Sequence, residues 1–196
     1  MRYPPEHKQQ TREKILGAAG RVFKRHGAAA GLGSVMAEAG LTKGAFGGHF
    51  STKDELLADM LRFVLAQSLA DELDAEGVPT GEEWLVQFQH RYLSCHHRND
   101  VERGCPLPAL ISDLGRAAES VRAEFAELYE SITARLAAHL PAGDTPENRR
   151  LLGSWAAAAI GSLAVARALP EGAATDIMNG TRDLLIEQVR RQFRAA

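Results

Sequence analysis

Apolar residues recur at helical spacing near the beginning of the chain. Within residues 32–39 they occupy positions i, i+3, i+4 and i+7, which predicts a short amphipathic helix with one buried stripe. Gly40 follows, and it supplies the left-handed residue that commonly ends a helix. A second short helix is predicted next, capped by Thr42 and with Phe46 and Phe50 pointing inward four residues apart. Together the two segments predict a pair of short helices joined at a tight turn.

The outward positions of the second short helix are small or polar. Small side chains allow a helix to lie close against a DNA duplex, and hydroxyl, ammonium and imidazole groups can donate hydrogen bonds to phosphate oxygens. The pattern therefore favours a helix-turn-helix that binds DNA. Its outward residues are Lys43, Gly44, Ala45, Gly47, Gly48 and His49, with Thr42 at its start.

Longer helices are predicted on both sides of this pair. A helical stripe of apolar residues runs from about Glu6 to His26 and stops at Gly27. Downstream, residues 51–54 predict a capping box that opens a long helix reaching at least Val64. The first helix is expected to present basic outer faces built from Lys8, Arg12, Lys14, Arg21, Lys24 and Arg25.

The remaining two-thirds of the chain also shows helical spacing. Thr80 and Glu83 predict a further capping box, and Pro146 suits the first turn of a later helix. No alternating strand pattern occurs in the sequence, so it predicts an all-α fold. Breaks between the helices are predicted at 76–81, 99–108, 140–146 and 169–173, where Gly and Pro cluster.

Charge is distributed unevenly along the 196 residues. The formal net charge of −2 is unremarkable for a globular protein, but residues 1–53 hold nine Lys and Arg against three Glu, a local charge of +6. The remainder carries −8. A basic end attracts phosphate, and it coincides with the two-helix motif.

The polar amino terminus argues against a secretory signal, and the apolar run 151–166 is too short and too weakly hydrophobic for a membrane span. A cytoplasmic location is expected.

The order of these parts resembles the amino-terminal domain of TetR-family transcriptional repressors. The resemblance covers roughly residues 10–60 with high specificity, and the rest of the chain with less. It is carried by Thr11-Arg-Glu-Lys-Ile-Leu, Ala39-Gly-Leu-Thr-Lys-Gly-Ala-Phe, His49-Phe and Lys53-Asp-Glu-Leu-Leu.

This resemblance implies a nine-helix architecture with two functional parts. Residues 1–53 are expected to form the DNA-binding helix-turn-helix domain, and residues 54–196 the effector-binding and dimerisation domain. The family also implies a homodimer on double-stranded operator DNA and an effector of unstated identity. No cofactor is expected. The expected DNA contacts are Thr42, Lys43, Gly44, Ala45, Gly48, His49 and Lys53.

Two glycines depart from the family pattern. Relatives usually carry a tyrosine that touches the DNA backbone where this chain has Gly47, and many carry Ser or Thr where it has Gly31. Two functions therefore stay open. One is a regulator, in the first place a repressor released from a pseudopalindromic operator by a small molecule or by an electrophile or oxidant. The other is a TetR-like ligand-binding and dimerisation module with impaired DNA reading.

Small residues fill the predicted helix around 155–164. They permit close approach of another helix, so this segment and the last helix could form a four-helix interface between subunits or could pack within one chain. The family resemblance favours a dimer through the last two helices, and a two-fold dimer predicts a pseudopalindromic operator.

Aromatic residues of the middle helices could line an effector cavity or could simply form the core, as aromatic stripes usually do. The family implies a ligand pocket in this region without identifying its occupant. The candidates are Phe63, Trp84, Phe88, Tyr92, Phe125, Tyr129 and Trp155.

Cys105 is a candidate redox sensor. It precedes a predicted helix whose amino end would favour a thiolate, and Arg103 could assist. The stretch is similar to one in a TetR subgroup that senses electrophiles or oxidants, although a small buried core residue would fit equally. Cys95 is expected to be inert packing within a helix.

Neither a metal site nor an enzyme is expected. Adjacent histidines such as His96 and His97 diverge by about 100° on a helix, so they rarely share one ion. No phosphate-binding glycine loop and no nucleophile–base grouping occurs in the sequence.

Overall fold

A computed structural model describes residues 5–73 and 79–194. Across these residues the chain forms nine α-helices and one 3-10 helix and no strand, which confirms the predicted all-α class. The predicted break at 76–81 lies partly outside the described residues. The helices are α1 (Pro5–His26), α2 (Leu32–Glu38), a 3-10 helix (Lys43–Gly48), α3 (Lys53–Leu73), α4 (Gly81–Tyr92), α5 (Cys95–Asn99), α6 (Leu107–Leu114), α7 (Glu119–Ala138), α8 (Pro146–Arg167) and α9 (Glu171–Arg194).

The chain divides into two compact units. Unit 1 comprises the chain up to residue 68 together with 101–128, and unit 2 comprises 69–100 and 129–196. The functional boundary near residue 53 stays a prediction.

Unit 1 is built on the apolar stripe of α1. The stripe is fully covered: Ile15 and Phe23 have no exposed surface, and Met36 and Leu56 are equally buried. A Cβ on Gly20 would lie only 3.0 Å from Val64 Cγ2, so this glycine is what lets α1 and α3 approach so closely.

The beginning of α3 is capped one residue later than predicted. Thr52 Oγ1 accepts a hydrogen bond from the Glu55 backbone N–H at 3.0 Å. The Glu55 carboxylate in turn accepts one from the Ser51 N–H at 2.7 Å. The pair satisfies the Glu55 amide in the first helical turn and the Ser51 amide just before the helix.

Unit 2 has an aromatic and aliphatic core in which α8 and α9 pack together. Its fully covered side chains include Trp84, Leu85, Leu163 and Val189. α8 begins at Pro146, as predicted, and Thr145 caps it by accepting from the Asn148 N–H.

The capping box predicted at the start of α4 is wrong. Thr80 makes no side-chain cap bond. Gly81 instead adopts φ +73° and donates its N–H to the His139 carbonyl at 2.7 Å. A contact distant in sequence therefore replaces the local cap.

Candidate nucleic-acid interface

The two short helices of the predicted motif form at the expected positions. α2 ends as Gly40 takes φ +65°, and the Leu41 N–H donates to the Met36 carbonyl at 2.8 Å. This is the left-handed end that the glycine predicts, and it turns the chain toward the next segment.

The second short helix is a 3-10 helix and not the α-helix that the motif suggests. Three of its six residues are the glycines 44, 47 and 48, and each glycine weakens an α-helix by about 1 kcal/mol relative to alanine. Thr42 has an extended backbone before the helix, but its side chain makes no cap hydrogen bond, so the predicted Thr42 cap is wrong. Its hydroxyl group is exposed.

Aromatic residues anchor this helix from the inside, as predicted. Phe50 is 2% exposed, Phe46 is half-buried, and their ring centroids stack 5.8 Å apart. The Arg12 guanidinium lies 4.6 Å from the Phe50 ring centroid, within cation–π range. The helix is therefore fixed to α1 through Phe50, two residues beyond its end.

The outer face of the 3-10 helix is open. A Cβ placed on Gly44, Gly47 or Gly48 would meet no atom within 4 Å. Lys43 is exposed, whereas Ala45 and His49 are half-buried. The fold of the chain therefore requires none of the three glycines, and the small face leaves room for a partner surface.

His49 lies at the edge of this face. Its Nδ1 atom is buried and has no hydrogen-bond partner among the described residues. Burial lowers the pKa of His49 below its usual value, and the nearby cations Lys8, Arg12 and His7 lower it further. The free protein therefore holds a predominantly neutral imidazole here at neutral pH.

The basic outer surface predicted for α1 is only partly present. Lys24 is 6% exposed and donates to the backbone carbonyls of Glu102 and Gly104, the latter at 3.0 Å, so its place on the outer surface is a wrong prediction. Other cations of α1 are paired: Arg21 and Arg25 each lie 2.8 Å from Glu38.

The same pairing affects other basic residues near the interface. Arg12 forms an ion pair with Asp59. Lys53 is half-buried, and its ammonium lies 5.8 Å from the Phe23 ring centroid. Lys8 and Lys14 are exposed. The field toward DNA is consequently weaker than the formal +6 suggests, because carboxylates from α2 and α3 neutralise part of it.

Most of the predicted effector-pocket residues gather in unit 2. The Phe88 ring centroid lies 5.5 Å from that of Trp84 and 5.2 Å from that of Trp155, and Tyr92 is 5.8 Å from Trp155. Tyr129 is half-buried, and burial raises the pKa of its phenol. Phe63 and Phe125, both half-buried, belong to unit 1.

The two cysteines differ from each other in exposure. Cys105 is half-buried next to Gly104, whose carbonyl accepts from Lys24. Cys95 is exposed at the first residue of α5, with its Sγ 3.9 Å from Thr175 Oγ1. The expectation of a packed Cys95 is therefore wrong, because α5 is a short surface helix.

The histidines near Cys95 do not converge. His90 and His96 are exposed, and His97 Nδ1 is hydrogen-bonded at 2.7 Å to the Tyr92 carbonyl. Across residues 5–73 and 79–194, no group of three or more His, Cys, Asp or Glu side chains is arranged to hold a metal ion.

The last two helices carry exposed apolar residues. Val165 of α8 is 45% exposed, Leu169 between α8 and α9 is 39% exposed, and Leu184 of α9 is 68% exposed. Gly161 and Gly180 are exposed as well, and a Cβ on either would meet nothing within 4 Å. Each helix therefore presents small and apolar surface outward.

Among the described helices, none has the length and apolar character needed to cross a membrane.

An all-helical chain with an amino-terminal helix-turn-helix has the architecture of a DNA-binding transcriptional regulator. Residues 15–60 match the family described as bacterial regulatory proteins, tetR family. No curated protein matches the chain in sequence.

Solved structures share the fold over nearly the whole chain. A TetR-family transcriptional regulator from Agrobacterium tumefaciens superposes with a TM-score of 0.63 at 21% identity, covering 91% of this chain and 97% of that one. A TetR-family regulator from Streptomyces coelicolor gives 0.62 at 20% identity, with 92% and 96% covered. A second from that organism gives 0.62 at 16%, with 93% and 89% covered. Residues 15–60 are therefore a domain of the tetR family of bacterial regulatory proteins, and the chain shares the fold of TetR-family structures.

Proposed function

We propose that this protein is a cytoplasmic homodimeric repressor that binds a pseudopalindromic operator and is released from it by a small-molecule or electrophilic signal. The observation that carries the proposal is the open face of the 3-10 helix, on which no atom lies within 4 Å of the outward glycines 44, 47 and 48. A face without side-chain bulk, anchored from behind by Phe50, can lie close against a duplex. We assign it no catalytic activity.

The proposed DNA contacts follow from exposure and chemistry. Lys43 and Thr42 are exposed donors at the beginning of the helix, where amide N–H groups also favour phosphate. His49 brings a buried nitrogen that has no partner among the described residues. The backbone would approach most closely at Gly44, Ala45 and Gly48, and Lys53 would reach a flanking phosphate after leaving Phe23.

The proposed dimer forms through α8 and α9. The exposed Val165 of α8, Leu184 of α9 and Leu169 between them would be buried against a second copy, and Gly161 would let the helices come close. Two copies related by a two-fold axis would present two helix-turn-helix domains to the two half-sites of the operator.

Release from DNA is proposed to act by population shift. The dimer would exist in a DNA-binding state and a released state, which differ in the spacing of the two helix-turn-helix domains. An effector in unit 2, or modification of Cys105, changes DNA affinity only if it favours one of these states over the other. Cys105 is connected to α1 through its neighbour, because the Gly104 carbonyl holds the buried ammonium of Lys24. A bulky group on the Cys105 sulfur would disturb that contact.

The main test is binding of labelled duplexes from the region upstream of the gene, measured by fluorescence anisotropy at several salt concentrations. We expect tight binding that weakens steeply with salt, and Lys43→Ala should reduce the salt slope by about one. Arg150→Ala removes the same charge from an exposed site in α8 and should leave the slope unchanged. Absence of binding to every upstream fragment would refute the repressor proposal.

The cysteine part of the proposal has a matched control in the chain. The thiolate of Cys105 adds to the double bond of N-ethylmaleimide, forming a carbon–sulfur bond, while the neighbouring carbon takes a proton from water. We expect this to release DNA from the native chain and from Cys95→Ser, but not from Cys105→Ser. Equal release from both variants would eliminate Cys105 as the sensor.

The second candidate function is a ligand-binding and dimerisation module with impaired DNA reading. Gly47 and Gly31 favour it, since both are exposed and both lack a side chain that could meet a phosphate. A protein of this kind would dimerise and bind ligand normally while showing no preference for any upstream fragment.

A further inference from the structure

Two buried tryptophans of unit 2 have indole N–H groups without hydrogen-bond partners. Trp84 is completely buried and Trp155 is 4% exposed. Neither Nε1 atom meets an acceptor among the described residues. A buried N–H donor that finds no acceptor destabilises the folded state, and native proteins keep few of them.

Gln89 adds to this set. It is completely buried on α4, one residue after Phe88, and neither its Oε1 nor its Nε2 has a partner among the described residues. Three other buried polar residues of unit 2 do find partners. Asn148 donates to two loop carbonyls, Thr133 donates to the Tyr129 carbonyl at 2.7 Å, and Ser162 lies 3.5 Å from the Ile177 carbonyl.

The two indoles belong to one aromatic cluster. Phe88 contacts both, with ring centroids 5.5 Å from Trp84 and 5.2 Å from Trp155. Trp84, Phe88 and Tyr92 follow each other at four-residue spacing, so they share one face of α4. Flat apolar rings and the two indole N–H donors thus belong to one cluster, and Gln89 lies next to Phe88 on the same helix.

We propose that this cluster binds an uncharged, flat aromatic molecule that carries an amide or lactam group. Its carbonyl oxygen would accept from an indole N–H, and the amide of Gln89 could pair with both its carbonyl and its N–H. The unpartnered groups of the cluster, two indole N–H donors and one amide, are all uncharged, so a charged ligand would lose its hydration with no opposite charge among them. This inference rests on the proposed effector-binding function and names the chemical class of its ligand.

The test uses three bicyclic probes of similar size with the purified full chain. 2-Quinolone carries the lactam, naphthalene lacks polar groups, and quinoline-2-carboxylate carries a negative charge. Titration calorimetry should show 2-quinolone binding about tenfold more tightly than naphthalene, and the carboxylate more weakly than both. Failure of 2-quinolone to bind, or equal binding of naphthalene, would overturn the proposal.

Conservative variants locate the binding. Trp155→Phe and Trp84→Phe retain a ring but remove the N–H, so one or both should weaken 2-quinolone binding about fivefold while leaving naphthalene unaffected. Gln89→Met keeps the length of the side chain. Because it removes two unpartnered groups, it should raise the melting temperature of the ligand-free protein and weaken 2-quinolone binding. A lower melting temperature would contradict the proposal.

Operator binding measured in the same samples separates this inference from the proposed function. If 2-quinolone binds as expected but leaves operator affinity unchanged, the proposed ligand class is supported. The proposal that this ligand releases the protein from DNA is then refuted. If the chain binds its operator but not 2-quinolone, the repressor proposal stands and the ligand class is refuted.

Discussion

The 3-10 helix and the α8–α9 pair are both surfaces of small residues, yet they are suited to different partners. In each, exposed glycines leave space beyond them: no atom lies within 4 Å of a Cβ on Gly44 or on Gly161. Around Gly44 the neighbours are Lys43, Thr42 and His49, which can donate to phosphate. Around Gly161 they are alanines and Val165. Small residues allow close approach, and in our proposal the chemistry of their neighbours selects between DNA and a second copy of the chain.

Glycine inside the core has another role, which sharpens the contrast. At Gly20 a Cβ would come within 3.0 Å of Val64, so the fold itself needs that glycine. The exposed glycines are not needed in this way. The fold does not require their lack of side chains, so a larger residue can be placed on either of the two surfaces without a clash inside its own unit.

The largest effect is expected from Leu184→Glu on the α8–α9 surface. Burying an unpaired carboxylate at an interface costs several kcal/mol, so dimerisation should weaken at least about a hundredfold. Sedimentation equilibrium should show a monomer, and operator affinity should fall with it because only one half-site is engaged. Ile111→Glu changes an exposed apolar residue of α6 and serves as the control. A Leu184→Glu protein that remains dimeric would place the interface elsewhere.

A bulky residue in the 3-10 helix should have the next largest effect. Gly44→Leu fills the open face without a clash inside the chain, and we expect operator affinity to fall about tenfold to a hundredfold while the dimer persists. Gly161→Leu is the converse change, and it should weaken the dimer first. If both variants impair both properties equally, the two surfaces are not separate.

Local features of the fold were predictable from the sequence, and this can be followed residue by residue. The turn at Gly40, the buried Phe50 and the start of α8 at Pro146 all depend on neighbouring residues, so spacing and residue type were sufficient. The stripe of α1 was predictable for the same reason. The DNA-facing residues stay a prediction: Thr42, Lys43, Gly44 and Gly48 are exposed, whereas Ala45, His49 and Lys53 are half-buried.

The wrong predictions involve partners that lie far along the chain. Lys24 was expected on the outer surface, but carbonyls near residue 103 bury its ammonium. The Thr80 cap is replaced by the bond from Gly81 to His139. In each case helical periodicity predicts the face of the helix on which a residue lies. It does not predict which group from a distant part of the chain forms a hydrogen bond with that residue.

Restoring the usual tyrosine at position 47 is expected to have a smaller effect. Gly47 has open space around it and no positive φ, so Gly47→Tyr should fold normally and raise operator affinity about fivefold through one added phosphate hydrogen bond. Binding curves at constant salt measure the gain. Gly47→Phe supplies the ring without the hydroxyl group, and an equal gain from it would attribute the effect to a stabler helix. A much larger gain would favour the module with impaired DNA reading.

The smallest effect is a pH dependence from His49. Burial and the cations Lys8, Arg12 and His7 lower its pKa below 6.5 in the free protein, whereas a phosphate at Nδ1 would favour the charged imidazolium. DNA binding would then take up a proton, so operator affinity should rise as the pH falls below about 7, by no more than tenfold per pH unit. Anisotropy titrations from about pH 5.5 to about pH 8, at constant ionic strength, measure this dependence.

Stability should respond to the same group in the opposite direction. Since the folded-state pKa is below the unfolded value of 6.5, the unfolded chain binds the proton more readily, and the free energy of unfolding should decrease as the pH falls through 6.5. His49→Gln should remove the His49 part of both slopes while it retains a hydrogen-bonding side chain. If His49 contacts a phosphate, operator affinity should rise as the pH falls while the free energy of unfolding decreases. If His49 is only buried, the free energy of unfolding should still decrease, but operator affinity should not rise.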